Sequence, residues 1–171
     1  MAQFASLPAI HLRPGKEKPG GLVDVFDARG EWLARGYANP RSQIVVRLLT
    51  WARDEALDAD FWRRRLMAAA QARGDLAADA STTAYRLVYA ESDGLAGLIV
   101  DRYGDWLAVQ FLTAGVEAQR DLLLRLLAEL FSPAGIVDRS DAAVRRQEGL
   151  PLRSGVAWGR PPPADLAILE H

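Results

Sequence analysis

Cysteine is absent from the 171 residues of this chain. That excludes a disulfide framework, a thiolate metal site and a cysteine nucleophile within these positions. Histidine is almost as scarce: His11 and His171 stand at opposite ends of the chain, so no metal site is expected. Lysine is confined to Lys16 and Lys18, which leaves 19 of the 21 basic residues as arginine. Arginine suits forked phosphate contacts, but the count alone assigns none. An excess of one charge is also missing: the net charge is −1 at pH 7, so there is no global basic field of the kind that draws in nucleic acid. No apolar run approaches the roughly 20 residues of a membrane span, and no charged-then-apolar start suggests a signal peptide. A cytoplasmic location without a membrane partner is the expectation.

Catalytic signatures are missing too. Gly-x-Ser-x-Gly and phosphate-loop patterns do not occur. The one glycine-rich turn, Gly94-Leu-Ala-Gly97, lies between two predicted strands. A dinucleotide-type site needs such a turn to open a helix. What is present is an ordinary globular balance, 50% hydrophobic and 25% charged, with room for one domain or two small ones.

The first 50 residues read as short strands, at 9–12, 22–26, 32–37 and 43–49. Asp27-Ala-Arg-Gly30 and Asn39-Pro40 break the chain between them. Strands at that spacing suggest a small barrel or sandwich. From Asp58 or Asp60, either of which suits a cap, Phe61, Leu66, Met67 and Ala70 recur at helical spacing as far as Gly74. Arg63, Arg64 and Arg65 lie in that helix, as a solvated face or a phosphate-facing patch. Residues 75–83 are poor in large apolar side chains and read as a linker.

The most legible stretch follows. Apolar runs at 87–89 and 98–100, and a third from Trp106, are joined by the turns Glu91-Ser-Asp-Gly94 and Gly104-Asp105. This pattern predicts an antiparallel meander. Glu91, Asp93 and Asp101 are carboxylates that could do acid–base chemistry, although a capped, solvated turn is the plainer account. An amphipathic helix is predicted over 116–131, then a strand at 134–137, then a brief helix capped by Ser140 or Asp141 and stopped by Gly149. Pro161-Pro162-Pro163 stiffens the tail as a spacer.

The run Arg86-Leu-Val-Tyr-Ala-Glu-Ser-Asp-Gly-Leu-Ala-Gly-Leu-Ile-Val-Asp-Arg-Tyr-Gly104 resembles the middle-domain signature of the large-subunit ribosomal RNA cytosine-C5 methyltransferase I family. That family usually has proline where this chain has Ala96. Leu12-Arg-Pro-Gly-Lys16 and Arg35-Gly-Tyr-Ala-Asn-Pro-Arg-Ser-Gln-Ile44 resemble its N-terminal PUA domain, and Asp138-Arg-Ser-Asp141 a segment of its middle domain. The likeness covers most of residues 7–159. One departure stands out. The family carries a longer basic stretch with an aromatic anchor where Lys18 here runs directly into Pro19-Gly-Gly21. A natural deletion weakens the RNA-binding expectation, whereas residues missing from this sequence leave it untested.

The resemblance implies an α+β chain: a PUA-like β-barrel over 1–75, a small α/β domain with the meander over 76–160, and a Pro-rich linker or fragment end over 161–171. A Rossmann catalytic domain is absent from these residues. The implied partner is ribosomal RNA, held by Arg13, Lys16, Lys18 and Arg41. No catalytic, cofactor-binding or metal residue is implied here; S-adenosylmethionine and a cysteine would belong to a longer protein, beyond His171. The alternative is a stand-alone scaffold or homodimer without RNA affinity.

Overall fold

Valines 23 and 25 alternate with Asp24, so one face of that strand is buried and the other polar, the pattern of a half-buried hairpin strand. In the computed structural model, which describes residues 11–12 and 18–169, this strand is β2 (Gly21–Phe26). It pairs with β1 (His11–Leu12) and β3 (Trp32–Ala38), and β3 pairs with β4 (Val46–Thr50), giving a four-stranded antiparallel sheet in chain order. The β2–β3 turn forms where Asp27-Ala-Arg-Gly30 predicts it. The Asp27 carboxylate accepts the amides of Arg29 and Glu31, and Gly30 sits at φ 84°, a conformation that favours glycine.

Helix α1 (Ala59–Gln71) starts where Asp58 accepts the Phe61 amide at 3.0 Å, one of the two predicted caps. Its buried stripe is Phe61, Trp62, Leu66 and Ala69. A short helix α2 (Gly74–Ala78) occupies part of the expected linker.

The second sheet holds β5 (Ala84–Tyr89), β6 (Leu98–Tyr103), β7 (Trp106–Phe111), β8 (Gly135–Asp138) and β9 (Gly155–Gly159), in that order. Strands β5, β6 and β7 form the predicted antiparallel meander. Beyond it the chain crosses over through α3 (Ala114–Ala118) and α4 (Arg120–Phe131), so β8 lies parallel to β7. A parallel neighbour requires such a helical crossover. After α5 (Val144–Gln147), β9 returns antiparallel to β8.

Helix α1 packs on β5 and α4, against the second sheet. The core is continuous across both sheets. Tyr37 and Leu49 come from the first, Trp62 and Leu66 from α1, Val100, Val109 and Phe111 from the second sheet, and Leu123 and Leu127 from α4. Burying each such side chain contributes about 1.5–3 kcal/mol before entropy is counted. Glycines allow the first sheet to approach α3 closely: a Cβ on Gly115 would lie 2.2 Å from the Tyr37 ring, and one on Gly20 would lie 2.4 Å from the Ala114 carbonyl oxygen. Among the described residues, no helix is long and apolar enough to cross a membrane and no acidic or histidine cluster could hold a metal ion.

Candidate nucleic-acid interface

Glu148 follows α5 directly and is 2% exposed, although it carries a charge. The Asn39–Ser42 loop, which leads from β3 to β4, reaches across to it. Ser42 Oγ donates to its carboxylate at 2.5 Å and Asn39 Nδ2 at 2.8 Å, while Arg47 Nη1 lies 3.1 Å away. From the start of α3 the Ala114 amide donates at 3.2 Å. Burial is the largest single influence and pushes the carboxyl pKa up; the donors from Ser42, Asn39 and Ala114, with the charge of Arg47, outweigh it and hold it below the ordinary glutamate range. The loop and the second sheet are thereby pinned through one carboxylate.

Exposed cations lie on the segments that lead into this contact. The Arg41 amide donates to Asn39 Oδ1 at 3.1 Å, which turns the loop. The Arg41 side chain lies over Gly149, where an added Cβ would come within 2.9 Å of its Cδ and 3.0 Å of its Nη1. Arg146 is exposed on α5, and its carbonyl accepts the Gly149 amide. Lys18 is also exposed; its carbonyl accepts the Gly21 amide, and Gly20 donates to the Ala38 carbonyl one residue before Asn39. Among the described residues, none of Lys18, Arg41 and Arg146 has an ion-pair partner. Two of the four cations read from the sequence, Lys18 and Arg41, thus stand on chain segments next to one junction. Arg13 and Lys16 lie outside the described residues. Arg146 was missed because an arginine in a short polar helix carries no sequence signal of its own.

Most other arginines are engaged. Arg63 forks onto Glu129 at 2.8 and 3.1 Å, and Arg64 pairs with Glu55 at 2.9 Å. Arg65 donates to the Leu49 carbonyl and lies 5.2 Å from the Phe61 ring centroid. The triplet is therefore a structural set of contacts that ties α1 to its neighbours. Arg145 is fully buried, donating to the Phe111 and Pro151 carbonyls and pairing with Glu117.

The carboxylates of the meander are also engaged. Asp93 receives Arg73 at 2.7 Å and the Tyr89 amide at 2.5 Å, and Asp101 pairs with Arg86 at 2.8 Å. Glu91 faces Arg47 at 3.7 Å and is well exposed. They form no shared acid–base site. In the Arg-Ser-Asp segment, Asp138 accepts the Ser140 amide and Arg120 Nη1, and Ser140 Oγ accepts the Phe111 amide. Only Arg139 and Asp141 of that segment reach solvent.

The Gly94–Gly97 turn does not fit S-adenosylmethionine. A Cβ on Gly94 would meet Arg65 Nη1 at 2.8 Å, and one on Gly97 would meet Thr113 Oγ1 at 2.3 Å. The space beside these glycines is filled by side chains, and a strand follows rather than a helix.

Comparison with known proteins adds to this geometry. Residues 8–51 match the family described as a PUA-like domain. A ribosomal RNA large subunit methyltransferase I from Erwinia tasmaniensis is 47% identical over 163 residues, covering 95% of this chain and 41% of that protein. Its namesake from Aliivibrio fischeri is 45% identical over 157 residues, covering 92% and 40%. The chain spans about two fifths of the length of the curated relatives it matches. A solved structure from Streptococcus mutans, described as a SAM-dependent methyltransferase, matches with TM-score 0.75 at 20% identity, over 90% of this chain and 38% of that one. Another, described as a methyltransferase complexed with SAH, matches with TM-score 0.77 at 20% identity and the same coverage. At that identity the likeness is one of fold.

Proposed function

We propose that this chain is the RNA-holding part of an S-adenosylmethionine-dependent ribosomal RNA (cytosine-C5) methyltransferase. In this reading residues 1–75 are a PUA-like, barrel-forming domain, residues 76–160 are a small α/β domain, and 161–171 lead toward a Rossmann-type catalytic domain. The observation that carries the reading is the junction at Glu148. It fixes the PUA-like loop against the α5 and α3 segments and, among the described residues, leaves Lys18, Arg41 and Arg146 without an ion-pair partner. Phosphate contacts from such a rigid rim set register and orientation without reading sequence, which suits a part that positions a structured RNA for chemistry done elsewhere.

The relatives named as ribosomal RNA methyltransferases support the substrate class. Methylation at pyrimidine C5 calls for a thiolate that adds to C6. The 171 residues contain no cysteine, and the Gly94–Gly97 turn has no room for the methyl donor; in this reading methyl transfer belongs to residues outside them. The test is bisulfite sequencing of large-subunit ribosomal RNA from cells with and without the gene. One cytosine is expected to lose its C5 methyl in the deleted strain and regain it when the full gene is restored. An unchanged methylation map sinks the reading. Purified chain of these 171 residues is expected to bind that RNA helix and to transfer no methyl group.

A further inference from the structure

The second sheet has two faces. Leu107, Val109 and Phe111 of β7 point into the core, while Trp106, Ala108 and Gln110 alternate outward and are half-buried. Strand register extends the outward face, because cross-strand partners project on the same side. Arg86 pairs with Asp101, Asp101 with Ala108, Ile99 with Gln110, Tyr89 with Ile99 and Tyr103 with Trp106. Three adjoining clefts of about 260, 290 and 180 Å³ run across this face, and Tyr103 lines all three. Tyr89 is 50% exposed, with the Arg86 guanidinium 5.0 Å from its ring centroid.

At one end Pro162 and Leu166 of the tail close the cleft over Trp106. Leu169 anchors that tail by exchanging hydrogen bonds with Thr83 at 2.8 and 2.9 Å. The other end is open. Arg139, Asp141 and Ala142 line the middle cleft and lead into α5, which carries Arg146 and is followed by Gly149 under Arg41. One short segment of chain thus links the face to the cationic junction.

Its composition favours nucleobases over phosphate or protein. The charges cancel locally, Arg86 against Asp101 at 2.8 Å and Arg139 against Asp141 at 3.7 Å, so phosphates are not drawn to it. In its middle, Asp101 and Asp141 border Tyr103 and Gln110, whereas aspartate is depleted at the centre of protein interfaces. Tyrosine rings stack bases of any sequence, and an amide or guanidinium can pair with base edges. Tyr103 lies four residues along β6 from the partner of Tyr89, about 13 Å at the usual strand rise. Bases can be splayed onto such a surface only from unpaired RNA.

We propose that the outer face of the second sheet binds single-stranded RNA, stacking unpaired bases on Tyr89 and Tyr103 beside Gln110 and Arg139, as a continuation of the Lys18, Arg41 and Arg146 rim. This rests on the RNA-holding reading and adds a second, base-contacting site to it.

Fluorescence anisotropy of the chain with a labelled short uridine oligonucleotide and with a labelled RNA hairpin, at one salt concentration, tests both. Tyr89→Ala and Tyr103→Ala are each expected to weaken oligonucleotide binding at least about five-fold, the low end for loss of one stacked base. Tyr89→Phe and Tyr103→Phe keep the ring and are expected to bind like the wild type, and hairpin binding stays within two-fold throughout. Alanine variants that melt like the wild type and bind the oligonucleotide equally well overturn the proposal. So does a wild type that binds the hairpin and not the oligonucleotide, with the RNA-holding reading left intact; a wild type that binds neither RNA removes both. Sedimentation showing a dimer that either alanine variant dissociates assigns the face to a second copy of the chain instead, and overturns it.

Discussion

Asn39 and Glu148 stand 109 residues apart and are joined twice: Asn39 Nδ2 donates to the Glu148 carboxylate at 2.8 Å and to its backbone carbonyl at 2.9 Å. Removing the carboxylate would leave Arg47 at 12% exposure without its closest counter-charge, and the Asn39 and Ala114 donors short of an acceptor. Breaking a buried pair from one side costs about 3–5 kcal/mol. Glu148→Ala is expected to lose that much in urea unfolding. A loss under about 1 kcal/mol would mean that the junction is held by the apolar core alone.

The same carboxylate predicts a pH dependence. Its folded pKa is depressed, so the unfolded chain takes up protons first as the solution is acidified. Its stabilising effect is present above the unfolded glutamate value of about 4.3 and is lost as pH falls through the lower folded value. Asp24 is depressed as well, chiefly by the hydrogen bond from Arg35 and also by Trp32, so the wild type loses stability from both. Glu148→Gln is expected to start lower at neutral pH and to fall less steeply on acidification. Parallel urea-midpoint curves for the two proteins would rule Glu148 out as a contributor.

How much of this was legible in the sequence follows from the range of each interaction. The meander and α1 were readable because alternation, turn residues and the Asp58 cap act within a few positions. Strand β9 was not, because Val156-Ala-Trp158 between two glycines is too short to carry a period and takes its partner from β8. The Arg63–Arg65 triplet reads in sequence as a solvated face or a phosphate-facing patch, because its partners Glu129 and Glu55 come from elsewhere in the chain. Glu148 gave no signal, since its donors come from the loop at 39–47 and from Ala114. Arg41 was singled out by likeness to a family motif, while the neighbours Asn39 and Ser42 that fix its loop became visible only in three dimensions.

Close approach at Gly115 gives a packing prediction. A methyl group there would lie 2.2 Å from Cγ of Tyr37, and the ring is held by core on its other sides. Overpacking of this kind costs about 1–3 kcal/mol, more than alanine returns in helix propensity. Gly115→Ala is expected to shift the urea midpoint down accordingly. An unchanged midpoint would show that α3 can draw back slightly from the first sheet at no cost.

Tyr37 itself should be silent in an alkaline titration. Burial pushes its pKa well above the usual tyrosine value, opposed in part by the hydrogen bond to Thr113. Its hydroxyl donates to the Ala96 carbonyl at 2.6 Å. A raised folded pKa stabilises below the unfolded value of about 10, and that contribution is lost as pH climbs toward the folded one. The difference in alkaline absorbance between the wild type and Tyr37→Phe isolates this one ring, and it is expected to appear only as the chain unfolds. A difference that develops while the chain is still folded would place Tyr37 in water.

The cationic rim can be separated from the paired arginines by the salt dependence of RNA binding. Each phosphate neutralised by a free cation contributes about 0.7–0.9 to the slope of log affinity against log salt. An arginine already forked onto a carboxylate must first give up that partner and contributes less. Replacing Lys18, Arg41 and Arg146 together by alanine is therefore expected to reduce the slope by about 2–3. The double change Arg63→Ala and Arg64→Ala removes pairs with Glu129 and Glu55; it is expected to leave the slope unchanged and stability within about 1 kcal/mol. The reverse pattern would move the RNA to the outer face of α1, because it would show that phosphates compete successfully for those two guanidinium groups. A slope reduced by neither set would remove both the rim and α1 from the phosphate contacts.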